Sequence, residues 1–295
     1  MSVLSQRFTT AVLAAMLAAV ASGPAQAAER TTEYEAMLSE KAPTLVTIKF
    51  LLKMKGGFMG EQESDSEATG IMIDPNGLVL CSNTLLGGFS SLFSRFGGGR
   101  MSVTPTDIKV LVGDDTEGVE AELLARDTEL DLAWIQIKEP SDKGYAHVDF
   151  TQSAKPKIGQ RALCVKRMGK YFDHVPAVGE GHIAGLASKP RDLYVPSTNL
   201  GGAIGLPVYT AKGQVIGVLV TQMPDPEEME MNPTATFGNR LSFRDMFAGL
   251  ILPAEQIVKA TKRARESAKE ADEEEPGEPS PPGAAAPEGT SPENG

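Results

Sequence analysis

Apolar residues fall in short runs along this chain, alternating or continuous, and turn-forming residues separate them. From residue 43 onward the runs read TLVTIKFLL, TGIMI, GLVLCS, DIKVLV, VEAELLA, LAWIQI, RALCVK, HIAGLAS, QVIGVLVT and LILP. Between them lie Asp74-Pro75-Asn76-Gly77, Gly113-Asp114-Asp115 and Ala211-Lys212-Gly213, all residues that favour tight turns. Many short strands at this spacing predict an all-β fold, a barrel or a sandwich. Helical patterning is confined to the ends. Thr31 to Lys41 fits a short helix, and Pro253 is placed to open a second one through AEQIVKATKRAR. Three stretches interrupt the β pattern: Lys53 to Glu67, which reads as a surface loop; the Gly-rich Gly87 to Pro105; and the acidic, Met-rich Pro224 to Asn239.

The two termini stand apart from this body. Arg7, the apolar stretch Phe8 to Ala21, the break at Gly23-Pro24 and Ala25-Gln26-Ala27 have the order of a cleaved secretory signal over residues 1–28. An uncleaved anchor is the alternative, although the apolar stretch is shorter than the roughly 20 residues a membrane helix needs. The mature chain is therefore expected in the periplasm or outside the cell, with no membrane span. At the other end, residues 269–295 are rich in Pro, Gly, Ala and Glu without periodicity, and a disordered acidic tail is expected there.

Charge and cysteine content narrow the function classes. The net charge is −11, but from Glu266 onward nine acids stand against the single Lys269, so the body is close to neutral. No basic cluster of the kind that neutralises phosphate is present, and no nucleic-acid partner is expected. Lys262, Arg263 and Arg265 read as a solvated helix end. Cys81 and Cys164 could bridge in an oxidising compartment, but both lie in strand-like apolar runs where buried free thiols are expected. His147, His174 and His182 are scattered without ligand spacing, so neither a metal nor another cofactor is expected.

The order of the runs resembles the HtrA (Deg) branch of the trypsin-like serine proteases. Pro43-Thr44-Leu45-Val46-Thr47-Ile48 is similar to that family's opening PAVVSI strand. TGIMIDPNGLVLCSNTLL over 69–86 is similar to its GSGFIIDxDGYIVTNNHVV block, and VEAELLARDTELDLAWIQI over 119–137 to its TDLALLKI block. IGQRALCVKRMG, HIAGLAS, GAIGLPVYTAKGQVIGV and GLILP then follow in the family's order. The resemblance covers about Pro43 to Ala260. It implies a double β-barrel with short terminal helices: an N-terminal helix and first barrel over 29–140, and a second barrel and C-terminal helix over 141–268. About 35 residues follow Ala260, too few for the PDZ domain that the family usually carries.

The resemblance also implies a site with its chemistry removed. Family members take a His, an Asp and a Ser from three loops at the cleft between the barrels. Thr84 stands at the His position, Asp131 at the Asp position and Ile204 at the Ser position. A serine hydroxyl attacks only when an imidazole takes its proton. All three histidines of this chain follow Asp131, whereas the family's base precedes it. Asp131 is then best read as a half-buried carboxylate bonded to backbone amides or to Thr84. Gly202 and the Ile204 amide are a remnant of the oxyanion loop, whose second glycine is Leu206. The expectation is an exported pseudoprotease that binds a peptide or protein partner, chaperone-like or regulatory, with its oligomeric state open. The alternatives are an endopeptidase that uses displaced residues, or an envelope assembly protein acting through its acidic tail. Phe89, Leu92, Phe93 and Phe96, spaced for one helix face, are candidate partner-binding residues that could equally pack on the first barrel.

Overall fold

The structure, a computed structural model, describes residues 28, 30–55, 61–88, 102–198, 200–222 and 249–274. After a helix over 30–41 (α1) come β1 (Leu45–Lys55), β2 (Glu61–Met72), β3 (Leu78–Ser82), β4 (Ser102–Val112), β5 (Val119–Asp127) and β6 (Leu132–Ile137). These close into one barrel in the order β1-β2-β3-β6-β5-β4. A second closed barrel follows, β10-β11-β12-β9-β8-β7. Its strands are β7 (Arg161–Arg167), β8 (Pro176–Ala187), β9 (Leu193–Pro196), β10 (Pro207–Thr210), β11 (Val215–Thr221) and β12 (Gly249–Pro253). A helix, α2 (Ala254–Glu274), comes last. The chain is an all-β double barrel with helices at its ends.

The apolar runs are continuous rather than alternating because both faces of several strands are covered. On β6, Ala133, Ile135 and Ile137 point into the first barrel, while Leu132 and Trp134 join the core shared with the second barrel. Alternate residues of one strand thus serve two cores. The turn before β3 shows how local chemistry sets the entry. The Asp74 carboxylate accepts the Asn76 amide at 2.8 Å, and Gly77 closes the turn with φ +85°. A Cβ at Gly77 would stand 2.9 Å from Cβ of Ile137, so only glycine fits without a shift.

The terminal helices cross over. α1 precedes the first barrel but docks on the second: Tyr34 donates to Glu180 on β8, and Arg161 on β7 joins Glu33 (2.7 Å) to Glu180 (2.8 Å). α2 follows the second barrel and packs back on the first. Trp134 Nε1 donates to Thr261 Oγ1 at 3.0 Å, and Arg265 pairs with Asp74 at 2.6 Å. Each helix therefore ties the barrel at its own end of the chain to the other one.

Four sequence expectations are corrected here. Residues 53–55 and 61–67 are strand and not loop: β1 continues to Lys55 and β2 begins at Glu61, with Lys53 facing Glu63 at 3.1 Å. β1 pairs here with both β2 and β4, and the β2 stretch is polar and acidic, so it lacks the apolar alternation that marks a strand. Gly87 to Pro105 overlaps β4, which starts at Ser102. The proposed tail from 269 overlaps α2, which runs to Glu274 because AKEADEE, although acidic, consists mainly of good helix formers. Pro253 ends β12 and α2 starts at Ala254, one residue later than expected.

Candidate functional site

Three loops meet at the seam between the barrels. The first leaves β3 and runs through Ser82, Asn83 and Thr84. Thr84–Gly88 forms a single irregular turn, stitched by Leu86 and Gly88 amides donating to the Asn83 carbonyl at 3.1 and 2.9 Å. Arg126, on β5 beneath it, gives one nitrogen to Asn83 Oδ1 and another to the Leu86 carbonyl, both at 3.2 Å. The second loop enters β6. Asp127 accepts the amides of Glu129 and Leu130 at 3.1 and 3.0 Å, which bends the chain so that Asp131 adopts a left-handed φ of 56°. The third loop, 202–206, leads into β10.

Asp131 is the polar centre of the seam. It is 3% exposed, and donors from both barrels surround it. Oδ1 accepts the Thr84 amide at 2.8 Å, and Oδ2 accepts the Thr221 amide at 2.9 Å. The Ser82 hydroxyl stands 2.9 Å from both oxygens, and the Asp131 carbonyl accepts the Asn83 amide at 3.2 Å. Burial pushes the carboxyl above the ordinary aspartate range; the amides of Thr221 and Thr84 and the hydroxyls of Thr84 and Ser82 pull it back. Thr221 ends β11, so one carboxylate bridges strands of the first and second barrels.

The third loop brings apolar groups to the same place. The Ile204 side chain packs on the core shared by the barrels, and its Cδ1 lies 2.9 Å from where a Cβ on Gly249 would stand. Gly249 is the register partner of Thr221. The loop is pinned from below: the Gly205 amide donates to the Leu219 carbonyl at 2.6 Å and the Leu206 amide to the Ala203 carbonyl at 3.1 Å. Gly205, at φ +82°, abuts the first barrel so closely that a Cβ there would come 2.7 Å from the Ser82 nitrogen. Gly202 closes a 3-10 turn, Leu200–Gly202, at φ +74°. Leu206 is buried in the core, so it does not crowd the loop opening as its place in the motif suggests.

Thr84, Asp131 and the Ile204 loop therefore converge, and Ser82, Asn83, Arg126 and Thr221 are seam residues that the sequence reading missed. Ser82 carried a weak signal: it is a polar residue that ends an otherwise apolar strand, two positions before Thr84. Phe89, Leu92, Phe93 and Phe96 lie outside the described residues. The remaining reactive side chains stand elsewhere or are masked by burial. His147 bonds the Tyr145 carbonyl at 3.1 Å, His174 lies in the β7–β8 turn and His182 lies on β8. Both cysteines are buried and free. Burial pushes the Cys164 thiol up to about 11 and Cys81 higher still. Among the described residues no group of three His, Cys, Asp or Glu side chains is placed to hold a metal ion.

What this arrangement can do chemically is limited. The Asp131 oxygens accept from neutral donors, Thr84 offers a hydroxyl with no basic nitrogen, and Ile204 offers neither nucleophile nor proton. A groove of about 420 Å³ between α2 and residues 148–151, lined by Ile73, Phe150, Ile257 and Thr261 among others, is not part of this seam.

Residues 68–218 match the family model described as a trypsin-like peptidase domain. No curated protein sequence matches the chain. Among solved structures, the chain is similar to an HtrA-type protease, AlgW, solved as a point variant with a decapeptide. The TM-score is 0.52 at 16% identity, covering 79% of this chain and 67% of that one. At that identity the likeness concerns the fold.

Proposed function

The chain belongs to the trypsin-like peptidase domain family, and we propose that it is a non-catalytic member which holds protein or peptide segments rather than cutting them. The observation that carries this reading is the state of Asp131. Its two oxygens are taken up by Ser82, Thr84 and Thr221, so the carboxylate acts as a bond between barrels and has no imidazole to orient. In a working triad the carboxylate stabilises an imidazolium that forms as the serine is deprotonated; with Thr84 and Ile204 neither event has an atom to occur on. Loss of triad members leaves only about 10³–10⁴-fold acceleration over water in such enzymes, from binding and the oxyanion hole alone. Peptide bonds are too inert for that remnant to serve as a protease.

The seam still suits an extended segment. Ile204 offers an apolar contact where the family's nucleophile would stand. The order of Arg7, an apolar stretch and Ala25-Gln26-Ala27 supports a place outside the cytoplasm for this binding. Incubation with a fluorophosphonate, which labels only an activated serine, tests the reading. The expected result is no covalent adduct by intact mass; an adduct mapped to any serine of the chain overturns it and would assign an endopeptidase with displaced residues.

A further inference from the structure

We infer that the hairpin tip joining β7 to β8 is a docking point for an anionic lipid surface. Three large apolar side chains stand out at this tip: Tyr171 is 92% exposed, Phe172 56% and Val175 52%. Single exposed apolar residues are ordinary, but three within five positions form a patch that calls for a partner. The two rings support one another edge to face, 5.1 Å apart at 89°.

The tip is rigid and internally bonded. Met168 donates to the Val175 carbonyl at 3.0 Å, Phe172 to Gly169 at 2.8 Å, Asp173 to Lys170 at 3.1 Å and Val175 to Phe172 at 3.2 Å. Asp173 and His174 both take left-handed φ, 54° and 51°, and turn the chain back into β8. With these amides already paired, lowering the turn into an apolar layer strands few backbone groups.

Charge selects the surface. Lys166 and Arg167 are the last rungs of the β7–β8 ladder, facing Ala177 and Pro176, and Lys170 opens the turn. Lys170 is exposed and Arg167 is half-buried, both at the base of the tip. From residue 161 to 179 the only acid is Asp173, in a chain whose net charge is −11. A convex tip cannot enclose an extended peptide. It fits a soft layer in which Tyr171 and Phe172 reach the acyl boundary while Lys170 extends to anionic headgroups.

The test uses the full chain carrying Phe172→Trp. Trp134, the one native tryptophan, is buried, so the tip reporter is distinguishable by quenching. With vesicles of equimolar phosphatidylcholine and phosphatidylglycerol, the tip emission should shift to the blue and acrylamide quenching should fall several-fold. Raised salt should reverse this, and adding Arg167→Glu and Lys170→Glu should weaken the partitioning by on the order of tenfold. The charge variant also controls for attachment through the apolar N-terminal stretch, which would leave the tip quenchable. An unshifted, fully quenchable tip overturns the inference. So does an equal, salt-independent shift on phosphatidylcholine alone. A shift produced by polyglutamate and not by vesicles reassigns the tip to an acidic peptide and likewise overturns it. Unchanged near-ultraviolet circular dichroism in each variant excludes misfolding.

Discussion

The loop that presents Asp131 and the loop that presents Ile204 reach the same seam with opposite chemistry. Around Asp131 the donors are complete: a hydroxyl from Ser82, an amide from Thr84 and an amide from Thr221 across the barrel boundary. Around Ile204 the contacts are apolar, onto the shared core and the start of β12. A buried carboxylate with several donors is costly to remove, because each donor is left without a partner. A solvent-facing nucleophile has no such ties. On the proposed reading, the difference gives a physical reason for the pattern: Asp131 has a structural occupation in this chain that does not depend on catalysis.

Asp131→Ala should break this comparison most severely. It strands three donors, each worth about 1–3 kcal/mol when left unpaired, and partial relaxation should bring the loss to about 3–5 kcal/mol. Urea denaturation of the variant measures it. A loss within experimental error would show that Asp131 is not the bond between barrels.

Second in size is Glu180→Gln, on the clasp that holds α1. Removing the charged partner of Arg161 should cost roughly 2 kcal/mol at neutral pH. The two carboxylates should also respond to pH in opposite senses. The Arg161 guanidinium beside it holds Glu180 down to about 2, below its ordinary 4.5. Its contribution is therefore present above pH 4.5 and lost as pH falls toward 2. Burial raises Asp131, so the folded chain binds that proton more tightly than the unfolded chain does. That contribution is complete below the ordinary value of 3.8 and is lost as pH rises through the folded value. Wild-type stability measured against Asp131→Asn should decline with rising pH, and measured against Glu180→Gln it should decline with falling pH. Parallel slopes would contradict the environments described.

Ile204→Ser should cost less, about 1–2 kcal/mol, since the side chain is only partly buried. Melting temperature of the single variant reads it directly. Smallest of all is the expected gain of function. Thr84→His with Ile204→Ser should fold yet recover little hydrolysis, because both Asp131 oxygens already accept from the Ser82 hydroxyl and from the amides at 84 and 221. Turnover at the level of an active family member would show that the seam is still tuned for catalysis.

The barrels were legible in the chain because each apolar run sits between turn residues whose chemistry fixes the reversal, as at Asp74 to Gly77. β9 and β10 escaped notice because each has four residues, too few to show a period. The β1–β2 extension escaped because backbone pairing holds it, and its β2 side is polar and acidic and shows no apolar alternation. At the seam, Thr84, Asp131 and Ile204 were legible through motif order. Thr221 was not, because it contributes a backbone amide, and any residue there would donate the same proton. Arg126 was equally silent, since its partners are the carbonyl and side chain of a loop some 40 residues away.

Hydrolysis of an unfolded protein substrate, compared between the purified chain and its Asp131→Asn variant, tests the central claim most directly. The account predicts that neither releases peptides above the rate of substrate alone. Hydrolysis by the wild-type chain that disappears in Asp131→Asn, with the variant still folded, would contradict it and would make Asp131 a catalytic residue.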